Sequence, residues 1–248
     1  PVPGKLTDRA VNIISPDKAT MPRFETYETR FFIDEIYRGV DYEGGLTLEG
    51  AIVRGTGSNW FPASVKLYRD DTLAIKITSR NFILSQNSIS SYESSPTLYL
   101  GTDSIYHSNL GFSYNTETRE VSMSRTTSPL SRGPYFDSYH DMDLYFEYLL
   151  WDMDQPTIIM SRTRGASIGS AKFESVTFYN EANFFRLMRL DDVHPLYRVR
   201  DYAKQYGFDV FPVDGFAKSI RMPIEQATAL CIELANNGFL FYDRNFNE

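Results

Sequence analysis

Asp137, His140, Asp141 and Asp143 stand within the run FDSYHDMD (136–143). The surrounding stretch, GPYFDSYHDMDLYFEYLLWDMD (133–154), also holds Trp151, one of two tryptophans, while His140 is one of three histidines. An imidazole among carboxylates suits two kinds of chemistry. The group can ligate a divalent cation, or a carboxylate can orient the imidazole and tune it as a general base. The spacing is not that of a zinc-binding helix, and a second imidazole would have to come from His107, brought near by folding. The competing reading is a polar loop whose aspartates close turns and accept hydrogen bonds from backbone amides, and these residues favour it. No catalytic residue, metal or cofactor is therefore assigned. Asp137, His140, Asp141 and Asp143 are the place where chemistry would be sought first.

A second use of the stretch needs carboxylates alone. Glycoside hydrolysis takes two of them flanking a groove, about 5–10 Å apart. Asp137, Asp141, Glu147, Asp152 and Asp154 supply candidates, with tyrosine and tryptophan to stack on sugars. Other catalytic signatures are missing: there is no phosphate-binding loop and no His-Glu-x-x-His. Gly44, Gly45, Gly50, Gly55 and Gly57 open no helix, so they read as bulges, corners or close backbone approaches in strands. Cys231 is the single cysteine, which rules out an internal disulfide and a multi-cysteine metal site. The balance leans away from an enzyme.

The elements that must position these residues follow from composition and period. Hydrophobic residues at 42% and charged residues at 23% are the proportions of a globular chain. The 17 Tyr and 18 Phe suit cross-strand packing. A net charge of −7 disfavours binding to phosphate backbones. No apolar run approaches the roughly 18 residues of a membrane-spanning helix. A start at Pro1, without methionine or signal peptide, points to a piece excised or processed from a longer chain.

Residues 1–28, with four prolines, read as an extended lead-in with one strand at Val11–Ile14. Residues 29–179 read as a β-rich domain. Short apolar alternations such as Val65/Leu67, Leu73/Ile75/Ile77 and Leu110/Phe112/Tyr114 are separated by turn residues. The fold class is mainly β, an irregular β-solenoid or a sandwich of short strands, with the glycine-rich opening and uneven spacing suiting a solenoid better than a closed barrel. Asp143–Trp151 is apolar on both faces and reads as one central strand, with a helix as the competing assignment. Further strands are expected at Thr157–Ser161 and Lys172–Tyr179.

Residues 180–248 read as a small helical, winged-helix-like domain. Asn180 caps a first helix; Leu196–Gly207, Val213–Ile220 and Met222–Gly238 follow, with strands at Phe208–Phe211 and Gly238–Asp243. Ile224, Ala227, Leu230, Cys231 and Leu234 form the core face of the last helix. A winged helix suggests DNA, but Ile224–Asn237 contains no Arg or Lys and carries Glu225 and Glu233, which phosphates would repel.

The runs Asp103-Ser-Ile-Tyr-His107, Pro134-Tyr-Phe-Asp-Ser-Tyr-His140, Val193-His-Pro-Leu-Tyr197 and Asn237-Gly-Phe-Leu-Phe241 resemble segments of the very large uncharacterised proteins of Bacteroidota. The resemblance runs from about residue 30 onward. It implies a piece of a long, envelope-associated chain and carries no activity to any position. The expectation is a non-enzymatic structural or protein-interaction segment of a larger exported protein, its partner another protein or the rest of its own chain. Carbohydrate binding or cleavage is the first alternative, and nucleic-acid binding by the winged helix the second. Within this scheme 133–154 is the seam between the β and helical parts.

Overall fold

A computed structural model describes residues 3–9, 21–28, 30–50, 52–58, 60–162, 171–176, 181–188, 193–207 and 209–243. In chain order the strands are β1 (Gly4–Thr7), β2 (Arg23–Thr26), β3 (Phe31–Tyr37), β4 (Val40–Glu49), β5 (Ile52–Thr56) and β6 (Ala63–Arg69). They continue as β7 (Thr72–Ser79), β8 (Asn81–Ser85), β9 (Ser88–Leu100), β10 (Asp103–Tyr106), β11 (Leu110–Asn115) and β12 (Glu120–Ser124). The last are β13 (Tyr135–Asp137), β14 (Met142–Tyr145), β15 (Tyr148–Asp152), β16 (Ile158–Ser161) and β17 (Lys172–Ser175). The fold is mainly β, and every strand pairing among the described residues is antiparallel.

The pairings form two series. One runs β3-β4-β6-β7-β9-β10-β13-β14-β17. The other runs β1-β2-β4-β5-β8-β9-β11-β12-β15-β16. The alternating residues on the facing sides, including Val65, Leu67, Ile75 and Ile77 from the first and Phe82, Phe112, Val121 and Met123 from the second, join in one buried cluster. Antiparallel neighbours linked by short turns are the pairing of hairpins and meanders. The lean toward a solenoid of stacked rungs is not what these registers describe.

Two strands belong to both series. Val40–Glu43 of β4 pairs with β6, whereas Gly45–Glu49 pairs with β5. In β9, Ser88–Ser94 pairs with β11 and Ser95–Leu98 with β7. The stretch 143–151 behaves alike and corrects the single-strand assignment: β14 lies in the first series, β15 in the second, and Phe146–Glu147 is the corner. Leu144 and Phe146 point inward before the corner, and Leu149, Trp151 and Met153 after it. The inward parity switches by one residue at the corner, which is why both faces look apolar in sequence.

The lead-in contributes two strands. β1 pairs with β2, and β2 pairs with β4, so residues from 1–28 extend the second sheet. Val11–Ile14 lies outside the described residues.

The helices are α1 (Glu181–Met188), α2 (Pro195–Tyr206), α3 (Val213–Ser219) and α4 (Ile224–Asn236). Pro195 opens α2, and Gly207 closes it in the left-handed region, φ 81°, with its N–H donating to Ala203 O. Asn180 and Phe208 lie outside the described residues. Residues 209–212 and 238–243 form no strand, contrary to expectation. At α4 the N–H groups of Gly238 and Phe239 donate to Ala235 O and Leu234 O, so the chain folds back on the helix end. Val213, Phe216, Ala227 and Cys231 make a second core, into which Leu130 inserts from the 3-10 turn Pro129–Arg132. Ile224, placed on the core face by its spacing, is 37% exposed because α4 begins beyond that core. No described helix is long and apolar enough to cross a membrane.

The crossing of β4 depends on glycine. Tyr42 is fully buried and donates its hydroxyl to Gly45 O at 2.6 Å. A Cβ on Gly55 would lie 2.7 Å from that hydroxyl and 2.8–2.9 Å from the ring. Gly55→Ala should destabilise the fold by about 1–3 kcal/mol through overpacking. Urea unfolding measures this, and an unchanged midpoint would contradict the packing described.

Candidate functional site

β13 and β14 are a hairpin, with Tyr135 facing Leu144 and Asp137 facing Met142. Residues 138–141 make the turn, and Asp141 adopts the left-handed φ of 50° that aspartate tolerates. Asp137 is buried. Its carboxylate accepts from Tyr139 N at 3.0 Å and from His140 Nδ1–H at 2.7 Å. His140 itself is largely exposed, with its ring edge-on to Tyr139. The structure therefore brings Asp137 and His140 together and leaves the imidazole Nε2 outward. The carbonyl of Asp141 accepts from Val176 N, tying the turn to the residue after β17.

Asp143 is on the opposite side of the hairpin. One row crosses the first sheet as Asp41, Lys66, Lys76, Thr97, Tyr106, Phe136, Asp143 and Glu174. It lies on the outer face, since Ile105, Tyr135 and Leu144 beside it point into the core. The helical part docks here. Phe241 meets Tyr106 and Phe136 edge to face, with centroids 5.3 and 5.4 Å away. Gly238 lies so close to Asp143 that a Cβ there would stand 2.2 Å from Oδ2. Desolvation in this seam raises the Asp143 carboxyl from 3.8 to about 6, and the charge of Glu174 adds to the rise.

The other carboxylates do not converge. Glu147 reaches Arg125 at 3.5 Å, Asp154 reaches Arg119 at 3.1 Å, and Asp152 accepts from Asp154 N. No group of three or more His, Cys, Asp or Glu among the described residues could hold a metal ion.

His107 does not join His140. Its Nδ1 accepts from Asn109 N, so Nε2–H donates to Gly133 O at 3.0 Å. Burial, reinforced by the charge of Arg125, lowers its pKa to about 3, and it stays neutral at ordinary pH. Sequence reasoning missed Arg125. Its guanidinium donates to Phe146 O at 2.9 Å, Gly133 O at 2.6 Å and Ser131 O, and lies over the Tyr135 ring. Tyr135 in turn stacks on Phe146 at 4.0 Å. In sequence Arg125 is one arginine in a Ser/Thr-rich loop, with nothing to mark it. His194 was missed as well: Nδ1 accepts from Leu196 N at the start of α2, Nε2–H donates to Phe184 O, and the ring stacks on Phe184. It is a cap that joins two helices.

The raised carboxyl of Asp143 fixes a pH dependence. Between the ordinary aspartate pKa, about 4, and the folded value the native state keeps a proton that the unfolded chain has lost. The contribution of Asp143 to stability is thus complete below that window and is lost as pH rises through about 6. Asp143→Asn should gain stability relative to the unsubstituted chain across this window and hold a constant advantage above it. Thermal melts at a series of pH values read the difference, and a flat difference would contradict the desolvated seam.

Comparison with known proteins returns no match to this chain, whether among family models, curated proteins or solved structures.

Proposed function

We propose that the chain is a non-enzymatic structural or protein-interaction segment of a larger, envelope-associated protein, a β-sandwich bearing a small helical unit. The observation that supports it is an apolar cleft of about 700 Å³ between the helical part and Tyr106 of β10. Val199 and Ala203 of α2, Phe211 before α3, and Phe239 and Leu240 after α4 border it. Val210, Phe239 and Phe241 are exposed at this cleft. Exposed apolar residues gathered around a concavity suit the burial of an apolar anchor from a partner protein or from the rest of the same chain.

The enzymatic alternative finds less support. Asp137 is occupied by its own turn, Asp143 by the helix end and Glu147 by Arg125. For nucleic acid, α4 offers no basic side chain, and the strands of a wing are not among residues 209–243.

The test pairs a substrate screen with binding of an apolar fluorescent dye. The expected outcome is no turnover of glycosides, esters, peptides or phosphoesters. The folded chain should bind the dye, and Val210→Ser with Phe239→Ser should weaken that binding. Turnover that vanishes in Asp137→Asn or His140→Gln while the melting transition persists would overturn the proposal.

A further inference from the structure

β9 changes sheets within Ser90-Ser91-Tyr92-Glu93-Ser94-Ser95. A strand leaving one ladder for another strands some backbone carbonyls, and buried serines satisfy them. Ser79 donates to Glu93 O at 2.7 Å, Ser94 to Leu110 O at 3.0 Å and Ser95 to Ser108 O at 2.6 Å. That accounts for the serines but not for the space they border. They line a cleft of about 400 Å³, together with Arg80, Asn81, Tyr92, Glu93 and Asn109.

Four features of the cleft point to one kind of ligand. Asn109 is 4% exposed, and its Oδ1 has no hydrogen-bond partner in the protein. A buried amide oxygen without a partner is unmet hydrogen-bonding capacity. Ser79 also accepts from Asn81 N, but Ser94 and Ser95, having donated inward, keep lone pairs for hydroxyl groups on a ligand. The charges of Arg80 and Glu93 cancel, so the lining favours no ion of either sign. At the mouth, Tyr92 is 63% exposed, and its hydroxyl is fixed at 2.7 Å from Thr127 Oγ1, which presents the ring as a wall. We infer that this cleft binds one neutral sugar residue, with Asn109 and the serines meeting its hydroxyls and Tyr92 lying against its C–H face.

The inference does not rest on the protein-contact reading, which concerns the apolar cleft of the helical part. The test is titration of the whole chain with glucose, galactose, mannose and N-acetylglucosamine, followed by amide chemical shifts, with free serine as a zwitterionic control. At least one sugar should saturate, moving resonances of 79–81, 91–95 and 108–109. Tyr92→Ala and Asn109→Ala should each weaken that sugar about tenfold, equivalent to roughly 1.4 kcal/mol. Tyr92 is a surface residue and the Asn109 Oδ1 accepts no hydrogen bond in the protein, so melting temperatures should be retained in both. The inference is overturned if no sugar saturates at millimolar concentration. It fails equally if binding survives both substitutions, or if serine binds in place of the sugars.

Discussion

The structure depends on strands that leave one sheet and enter the other. A β-ladder satisfies backbone groups only while its neighbours continue, so each crossing exposes amides and carbonyls inside a core where they cannot remain unpaired. The three crossings are solved with different chemistry. At β4 it is Gly44–Gly45 with the buried Tyr42 hydroxyl on Gly45 O. At β9 it is a run of serines donating to freed carbonyls. Between β14 and β15 it is Arg125, whose side chain takes Phe146 O and whose backbone N–H takes Glu147 O. Glycine gives space, serine gives short-range donors, and arginine reaches across the corner with several donors at once.

The third solution also joins the β part to the helices. Arg125 holds Gly133 O and Ser131 O, and so fixes the 3-10 turn whose Leu130 enters the helical core. Gly133 approaches Ala235 O closely enough that a Cβ there would stand 3.3 Å away. The stretch that concentrates histidine, aspartate and aromatics is thus a seam, and most of its polar groups are consumed in holding it. His140 is the exception, paired locally and open outward.

What could be read from sequence divides along this line. The alternation of Val65/Leu67 with Ile75/Ile77 repeats every second residue on one face, and it became β6 and β7. Pro195 and Gly207 bracket α2 through local backbone preferences, and the Asp137–His140 pair is three residues apart. Each of these is a short-range property. The crossings are not, because a change of sheet shifts the inward parity by one residue and imitates a strand buried on both faces. β1 and β2 carry almost no buried side chains, and their pairing with β4 is visible only once the chain is folded. The fate of Asp143 is set by Gly238, and that of His107 by Gly133 and Arg125. No pattern within a window of sequence holds those contacts.

The seam combines attraction with opposition. Phe241 meets two aromatic edges, and Leu130 is buried among the helices, which favour docking. Against them stands Asp143, desolvated by the end of α4 and set across from Glu174, whose own charge is partly met by Lys172 at 2.7 Å. A sequence selected only for stability would place an amide there, since partly desolvating a carboxylate beside a like charge disfavours the contact. Local rules broken at a contact point to a use for that contact. A partner that entered the apolar cleft would bear directly on the strip from Phe239 to Phe241, which also closes the seam.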